Sequence, residues 1–261
     1  MNLQKIKQSC SSFMGKEIEF YEEIDSTNIR AKNWSQEGAQ EGSLVIAEMQ
    51  NAGRGRMGRH WSSPKGEGIW MSLIVRPHID IEKISQITIL AGLSMCASIR
   101  EETGLNVGIK WPNDLVVNNK KICGILCEMV KTTEGPAVII GIGVNVNSKQ
   151  FPDDLPYATS LYLASQKVFS RETIIEKFLS DFEKRYKVYI QTCSLVKFIE
   201  EYKNLCINLN NEVKIIEKQE EFMGVVKDID EDGRLIIEKE DGHIRHILSG
   251  EVSVRGLYDY V

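Results

Sequence analysis

The stretch "NAGRGRMGRHWSSPKGEG", residues 51–68, carries G-x-G-x-x-G at Gly53, Gly55 and Gly58, and the residues immediately after that pattern restrict the folds open to the chain. A dinucleotide-binding turn needs a helix directly after the loop, so that the helix N-terminus meets the pyrophosphate. Pro64, Gly66 and Gly68 preclude a continuous helix here. Arginines at the intervening positions would also crowd the helix–strand packing that such a turn serves. The loop lacks a terminal G-K-[ST], so a Walker-type phosphate loop is excluded as well. What remains is a loop whose glycines fold the backbone tightly over a ligand. Its arginines can meet anionic oxygens through bidentate, charge-assisted bonds.

Charge supports a small anionic ligand. The chain carries a formal net charge of -5, yet residues 50–66 hold Arg54, Arg56, Arg59 and Lys65 with no acid among them. An acidic chain argues against non-specific nucleic-acid binding, which shows a basic excess. No apolar run approaches the ~20 residues of a membrane helix, and the N-terminus lacks a secretory core. The reading is a cytoplasmic protein without a membrane segment. The six cysteines show no C-x-x-C spacing. Cys123 and Cys127 fall four apart in a strand-like run, which puts them on one face as small core residues.

Along the chain, "EIEFYEEIDSTNIRAKNWSQEGA" reads as a strand and then a helix, with Asp25 or Ser26 as N-cap and Gly38 as the stop. "SLVIAEMQ" and "GIWMSLIVRP" are strands on either side of the glycine-arginine loop. "IEKISQITILAGLSMCASIREETG" has helical spacing and ends at Gly104. "NVGIKW", "DLVVNNKKICGILCEMV" and "AVIIGIGVNVN" are strands, with Asn118-Asn119 as a tight hairpin turn. "RETIIEKFLSDFEKRYKVYIQ" and "LVKFIEEYKNLC" are amphipathic helices. From about Asn211 short strands with turns at Asp232-Gly233 and Asp241-Gly242 suggest a small β-barrel. Its own core is small, so it should dock on the rest. The order implies an α+β fold with a mixed β-sheet and flanking helices. The expected division is residues 1–210 and 211–261.

Three further stretches carry polar groups where chemistry could use them. In "IKWPNDLVVNNKKICGI", proline after tryptophan predicts an extended turn, and Asn113 and Asp114 sit at a corner flanked by Lys110 and Lys121. A hairpin about Asn118-Asn119 places Lys121 near Val116. "IDSTN" gathers hydroxyl and amide groups at a strand-to-helix junction, which is also ordinary capping chemistry. "GIGVN" puts two glycines in a strand, permitting close approach by a ligand or another backbone.

"DSTN", "GRGRMGRHW", "KWPND", "KKICGIL" and "GIGVNVN", in this order and spacing, resemble the biotin protein ligases, also called biotin–[acetyl-CoA-carboxylase] ligases. The resemblance spans nearly the whole chain. It implies a class II synthetase-like catalytic domain for biotin and ATP, followed by a small SH3-like C-terminal β-barrel. Many bacterial members carry an extra N-terminal helix-turn-helix domain; this chain reaches "DSTN" by residue 25, so the expectation is the monofunctional type without a DNA-binding domain. The implied reaction joins biotin and ATP, with Mg2+, into biotinyl-5′-adenylate and pyrophosphate. The biotinyl group then passes to one lysine of a biotin carboxyl carrier protein domain.

By the same resemblance, Ser26, Thr27, Asn28, Gln50, Gly53, Arg54, Gly55, Arg56, Lys121 and Gly124 form the biotin site. Arg56, Arg59, Trp61, Lys110, Asn113, Asp114 and Asn145 form the ATP and adenylate site. Arg54, Arg56 and Lys121 are the catalytic group, and the metal ligands stay unassigned. Met57 and His60 stand at loop positions that are often basic in the family. The resemblance leaves room for a homodimer. Two alternatives remain: a lipoate-type ligase of related fold, in which "GRGRMGRHW" with "KWPND" is not expected, and a non-catalytic biotin sensor. The tail, far in sequence from every biotin motif, is expected to stay outside the biotin pocket.

Overall fold

The computed structural model describes residues 1–9, 13–216, 220–248 and 253–256. Its elements in chain order are α1 (Leu3–Ser9), β1 (Ile18–Tyr21), α2 (Thr27–Gln36), β2 (Leu44–Ala47), β3 (Gly68–Val75), α3 (Gln86–Thr103), β4 (Gly108–Lys110), β5 (Asp114–Val117), β6 (Lys120–Thr132) and β7 (Gly135–Asn145). They continue with α4 (Leu161–Ser165), α5 (Arg171–Thr192), α6 (Val196–Leu205), β8 (Glu212–Ile216), β9 (Glu221–Ile229), β10 (Leu235–Lys239), β11 (Ile244–Ile247) and β12 (Ser253–Gly256). No helix among the described residues is long and apolar enough to cross a membrane.

The first seven strands form one mixed sheet in the order β1-β2-β3-β7-β6-β5-β4. Only β1 and β2 run parallel; the other neighbours are antiparallel. Side chains alternate between faces along each strand, and the two faces differ. Met71, Leu73, Ile125, Ile140, Ile142 and Val144 join α3 and α5 in the main core. The opposite face carries α2, packed through Ala31 against Val45, Ile74 and Ile139. Beyond α2 that face presents Ser72, Gly124, Gly141, Gly143 and Asn145, in register with one another: Gly124 pairs with Gly143, and Gly141 with Ser72 and Leu126.

Local expectations mostly hold. Asn118 and Asn119 both adopt positive φ, 49° and 59°, and the hairpin pairs Lys121 with Val116. Gly104 closes α3 in the left-handed region at φ 72°. Two expectations need correction. Ser26 is the N-cap of α2 by backbone geometry, but its side chain makes no capping hydrogen bond. Residues 111–113 form a turn with a cis Trp111–Pro112 peptide, where an extended turn was expected. Helices α1 and α4 lie in stretches too short for a periodicity argument to find. Cys96, Cys123 and Cys206 are core residues and Cys127 packs against that core: burial pushes the Cys96 and Cys127 thiols up to about 12 and the Cys206 thiol up to about 11. Cys10 lies outside the described residues.

The last five strands form a separate antiparallel sheet in the order β11-β10-β9-β8-β12, the expected SH3-like C-terminal domain. Its apolar residues Val213, Val226, Ile229, Leu235 and Ile237 belong to the same continuous core as the large sheet. The β9–β10 turn seals the contact. Trp111 Nε1, almost fully buried, donates to the Gly233 carbonyl at 2.9 Å, and Gln86 Nε2 donates to the Asp232 carbonyl at 3.3 Å. Gly233 has φ 80°, and a Cβ there would overlap Ile89. Trp111→Phe removes part of a buried ring and leaves the Gly233 carbonyl without its donor. It should cost ~1–3 kcal/mol of stability, read as a lowered denaturation midpoint with an unchanged slope.

Candidate functional site

The glycine-arginine loop folds back on itself as a small hairpin. Gly55 N donates to the Arg59 carbonyl at 2.8 Å, and Trp61 N donates to the Gly53 carbonyl at 2.9 Å. Met57 takes a left-handed conformation at φ 57°, and Gly58 another at φ 72°. A Cβ on Gly53 would overlap the Trp61 carbonyl, so this glycine is needed for the hairpin itself. The loop closes over the glycine-bearing face of the large sheet and encloses a cavity of about 570 Å3.

Every residue assigned to a site from the sequence lines this cavity except Gly53, which stands behind its wall. At one end the groups are neutral and hydrogen-bonded. Thr27 N donates to Gln50 Oε1 at 2.8 Å, and Gln50 Nε2 donates to Ser63 Oγ at 2.8 Å. Asn28, nearly fully buried, lies directly on Gly141, where a Cβ would overlap its side-chain oxygen. The other end is cationic. Arg56 donates to Asn113 Oδ1 at 2.8 Å, and Lys121 Nζ pairs with Asp114 Oδ1 at 2.6 Å. Burial draws the Arg56 guanidinium below its ordinary value, Asp114 counters this, and Arg59 adds to the lowering. Lys110 is buried in the wall, and Asn145 donates to the Thr159 carbonyl at 3.0 Å.

Trp61 joins the two ends. Its indole lies against the Gly124–Gly143 pair, with Lys121 Nζ 5.2 Å from the ring centroid. The buried indole N–H has no hydrogen-bond partner among the described residues. Sequence reasoning missed several residues in and behind the wall. Ser72, the one polar side chain of β3, and Glu128, in the apolar middle of β6, stand behind it and both bond Asn28. That isolation was the available signal. Phe151, Asp154, Leu155 and Tyr157, in the segment after β7, also line the cavity. So does Val254 of β12, which brings the C-terminal sheet to the cavity wall.

Residues 20–145 match the model of the "Biotin/lipoate A/B protein ligase family", which by itself leaves lipoate open. Residues 209–255 match the "Biotin protein ligase C terminal domain". The chain is 40% identical to the bifunctional ligase/repressor BirA of Bacillus spizizenii over 246 residues, 92% of this chain and 75% of that protein. The chain belongs to the biotin protein ligase family of enzymes. Another relative of this ligase is the biotin–[acetyl-CoA-carboxylase] ligase of Mycobacterium tuberculosis, 28% identical over 85% of this chain and 84% of that one. Among solved structures, the biotin protein ligase of Aquifex aeolicus in complex with biotin and ATP superposes with a TM-score of 0.83. That structure is 32% identical and covers 92% of this chain and 99% of its own.

The glycine floor gives this ligase a direct test. In Gly143→Ala the new Cβ would overlap the Trp61 indole nitrogen, so the ring must lift off the sheet. Acrylamide quenching, with Trp61→Phe as the subtraction control, should show Trp61 becoming solvent-accessible. The stability cost should be about 1–3 kcal/mol, the usual range for overpacking.

Proposed function

We propose that this ligase joins the biotin carboxylate to the α-phosphorus of Mg·ATP. One carboxylate oxygen attacks, pyrophosphate leaves, and biotinyl-5′-adenylate forms. A lysine amine of a biotin carboxyl carrier domain then attacks the acyl carbon, AMP leaves, and an amide results. The observation that carries the reading is one cavity with a neutral, hydrogen-bonding end at Ser26, Thr27, Asn28 and Gln50 and a cationic end at Arg54, Arg56, Lys110 and Lys121. A neutral cyclic urea suits the first end, and a carboxylate beside a phosphate suits the second.

The difficulty of the first step is repulsion between two anions. Fixed cations that cancel it and hold the groups in line supply electrostatic and proximity catalysis. Arg56 is held by Asn113, and Lys121 by Asp114, so both cations are oriented by protein partners. In this reading Arg54 and Gly55 fold over the carboxylate, and Trp61 packs on the adenine with Arg59, Lys110, Asn113 and Asn145 around it. Magnesium enters with the nucleotide. Among the described residues no three His, Cys, Asp or Glu side chains gather to hold a resident metal. Asp114 is the carboxylate we assign to the hydrated ion or to the incoming lysine. We take residues 1–210 as the catalytic unit and 211–261 as the C-terminal domain.

Labelled biotin and a purified carrier domain test the proposal directly: label should transfer only with ATP present. Transfer of lipoate in place of biotin, or none at all, would refute it. In Lys121→Ala, adenylate formation, read by pyrophosphate exchange, should fall about 10²–10³-fold, as when one oxyanion donor is removed. Affinity for biotinol, which lacks the carboxylate, should change less than about threefold, because that ligand never uses the charge. Equal losses in both would reduce Lys121 to a structural role.

A further inference from the structure

Glu128, on β6, lies outside the assigned site but ends a chain of hydrogen bonds that runs through it. Asn28 Nδ2 donates to Glu128 Oε2 at 2.9 Å and approaches the Leu126 carbonyl at 3.4 Å. Both partners only accept, so the amide orientation is forced and Asn28 Oδ1 must face Ser72 Oγ, 2.5 Å away. An amide oxygen cannot donate. The Ser72 hydroxyl proton therefore belongs to Asn28, and Ser72 can only accept from Thr27 Oγ1, 2.8 Å away. Thr27 Oγ1 also lies 3.0 Å from Gln50 Oε1, but donating there would leave Thr27 Oγ1 and Ser72 Oγ facing each other with no proton between them, so the hydroxyl proton goes to Ser72. The donors then all point one way, from Thr27 to Ser72 to Asn28 to the Glu128 carboxylate. Bonds aligned toward a charge reinforce one another in a buried site.

Lys32, one turn beyond Asn28 on α2, holds the other carboxylate oxygen at 2.6 Å. The pair sits behind the cavity wall, and neither residue lines the cavity. Ser72 is fully buried, and Thr27 and Asn28 nearly so, so water is a poor substitute for any of these partners.

We infer that Glu128, tethered by Lys32, is a positioning residue for ligand specificity: by fixing the proton direction of the Asn28–Ser72–Thr27 relay it makes Thr27 Oγ1 a hydrogen-bond acceptor toward the cavity, selecting a ligand that donates an N–H there. The inference rests on the biotin reading, in which the donor is a ureido N–H. A site built to pair with one N–H rejects an isostere lacking it far more strongly than size alone allows.

The test compares biotin with its two cyclic carbamate analogues, each with oxygen in place of one ureido N–H, in pyrophosphate exchange. Wild type should discriminate strongly against one of the two. Glu128→Leu should cut that discrimination by about tenfold or more, because the relay is no longer anchored. Glu128→Gln, whose amide oxygen can still accept from Asn28, should keep it. Ser72→Ala breaks the relay while leaving the Glu128–Lys32 pair in place, and should reproduce the loss even where the leucine variant folds poorly. If discrimination stays at the wild-type level in both Glu128→Leu and Ser72→Ala, or if all three ligands lose activity in equal proportion, the inference is wrong. A wild-type protein that fails to turn over biotin at all would instead strike at the proposed function.

Discussion

Gly124, Gly141 and Gly143 are the point on which the two faces of the large sheet depend. In adjacent antiparallel strands they sit in register, so the centre of one face is bare backbone. The alternate residues Ile125, Ile140, Ile142 and Val144 are buried on the other face against α3 and α5. Each of those contributes roughly 1.5–3 kcal/mol by leaving water, whereas a strand glycine adds no packing and carries an entropic cost. The strands thus divide their work by parity. One set of positions holds the sheet to its helices, and the other opens a floor on which Asn28 and Trp61 lie directly. A methyl group at Gly141 or Gly143 would overlap one or the other. The cavity is as much a product of these missing side chains as of the loop that covers it.

The same parity explains what could be read in the sequence. Long apolar strands, the Asn118-Asn119 turn and the helix stop at Gly104 are local signals, and the structure has them where periodicity and turn chemistry put them. The site motifs were also legible, since "GRGRMGRHW" and "KWPND" each concentrate unusual residues in a short stretch. Ser72, Glu128 and Val254 were not. Only pairing β3 with β7 and β7 with β6 brings Ser72 and Glu128 behind the wall to Asn28, and only docking the C-terminal sheet brings Val254 to the cavity itself. Gly53 is the converse case. It belongs to the loop motif, yet its role is to let Trp61 pass close behind it. Motif membership identifies a segment; which residue faces the ligand is decided by tertiary pairing.

Docking of the C-terminal sheet bears on the same question. The Gly233 turn receives the Trp111 indole, and Trp111 lies between Lys110 and the Asn113 that holds Arg56. The cationic end of the cavity is therefore braced from outside the large sheet. With one continuous apolar core beneath both sheets, the second domain supports the geometry of the first through packing as well as through Val254 at the wall.

The charges at that end are arranged for exchange of partners. Lys121 holds Asp114, and Arg56 holds Asn113. An approaching anion then competes with the Asp114 carboxylate at both cations, by direct contact at Lys121 and through space at Arg56. A carboxylate partner keeps Lys121 compensated and aimed, so a phosphate gains it only by displacing or sharing a like charge. Arg56 donates to a neutral amide and also feels the Asp114 carboxylate, which counters the effect of burial on its guanidinium. Lys121 is placed to act late, when charge building at a reacting oxygen can outcompete Asp114.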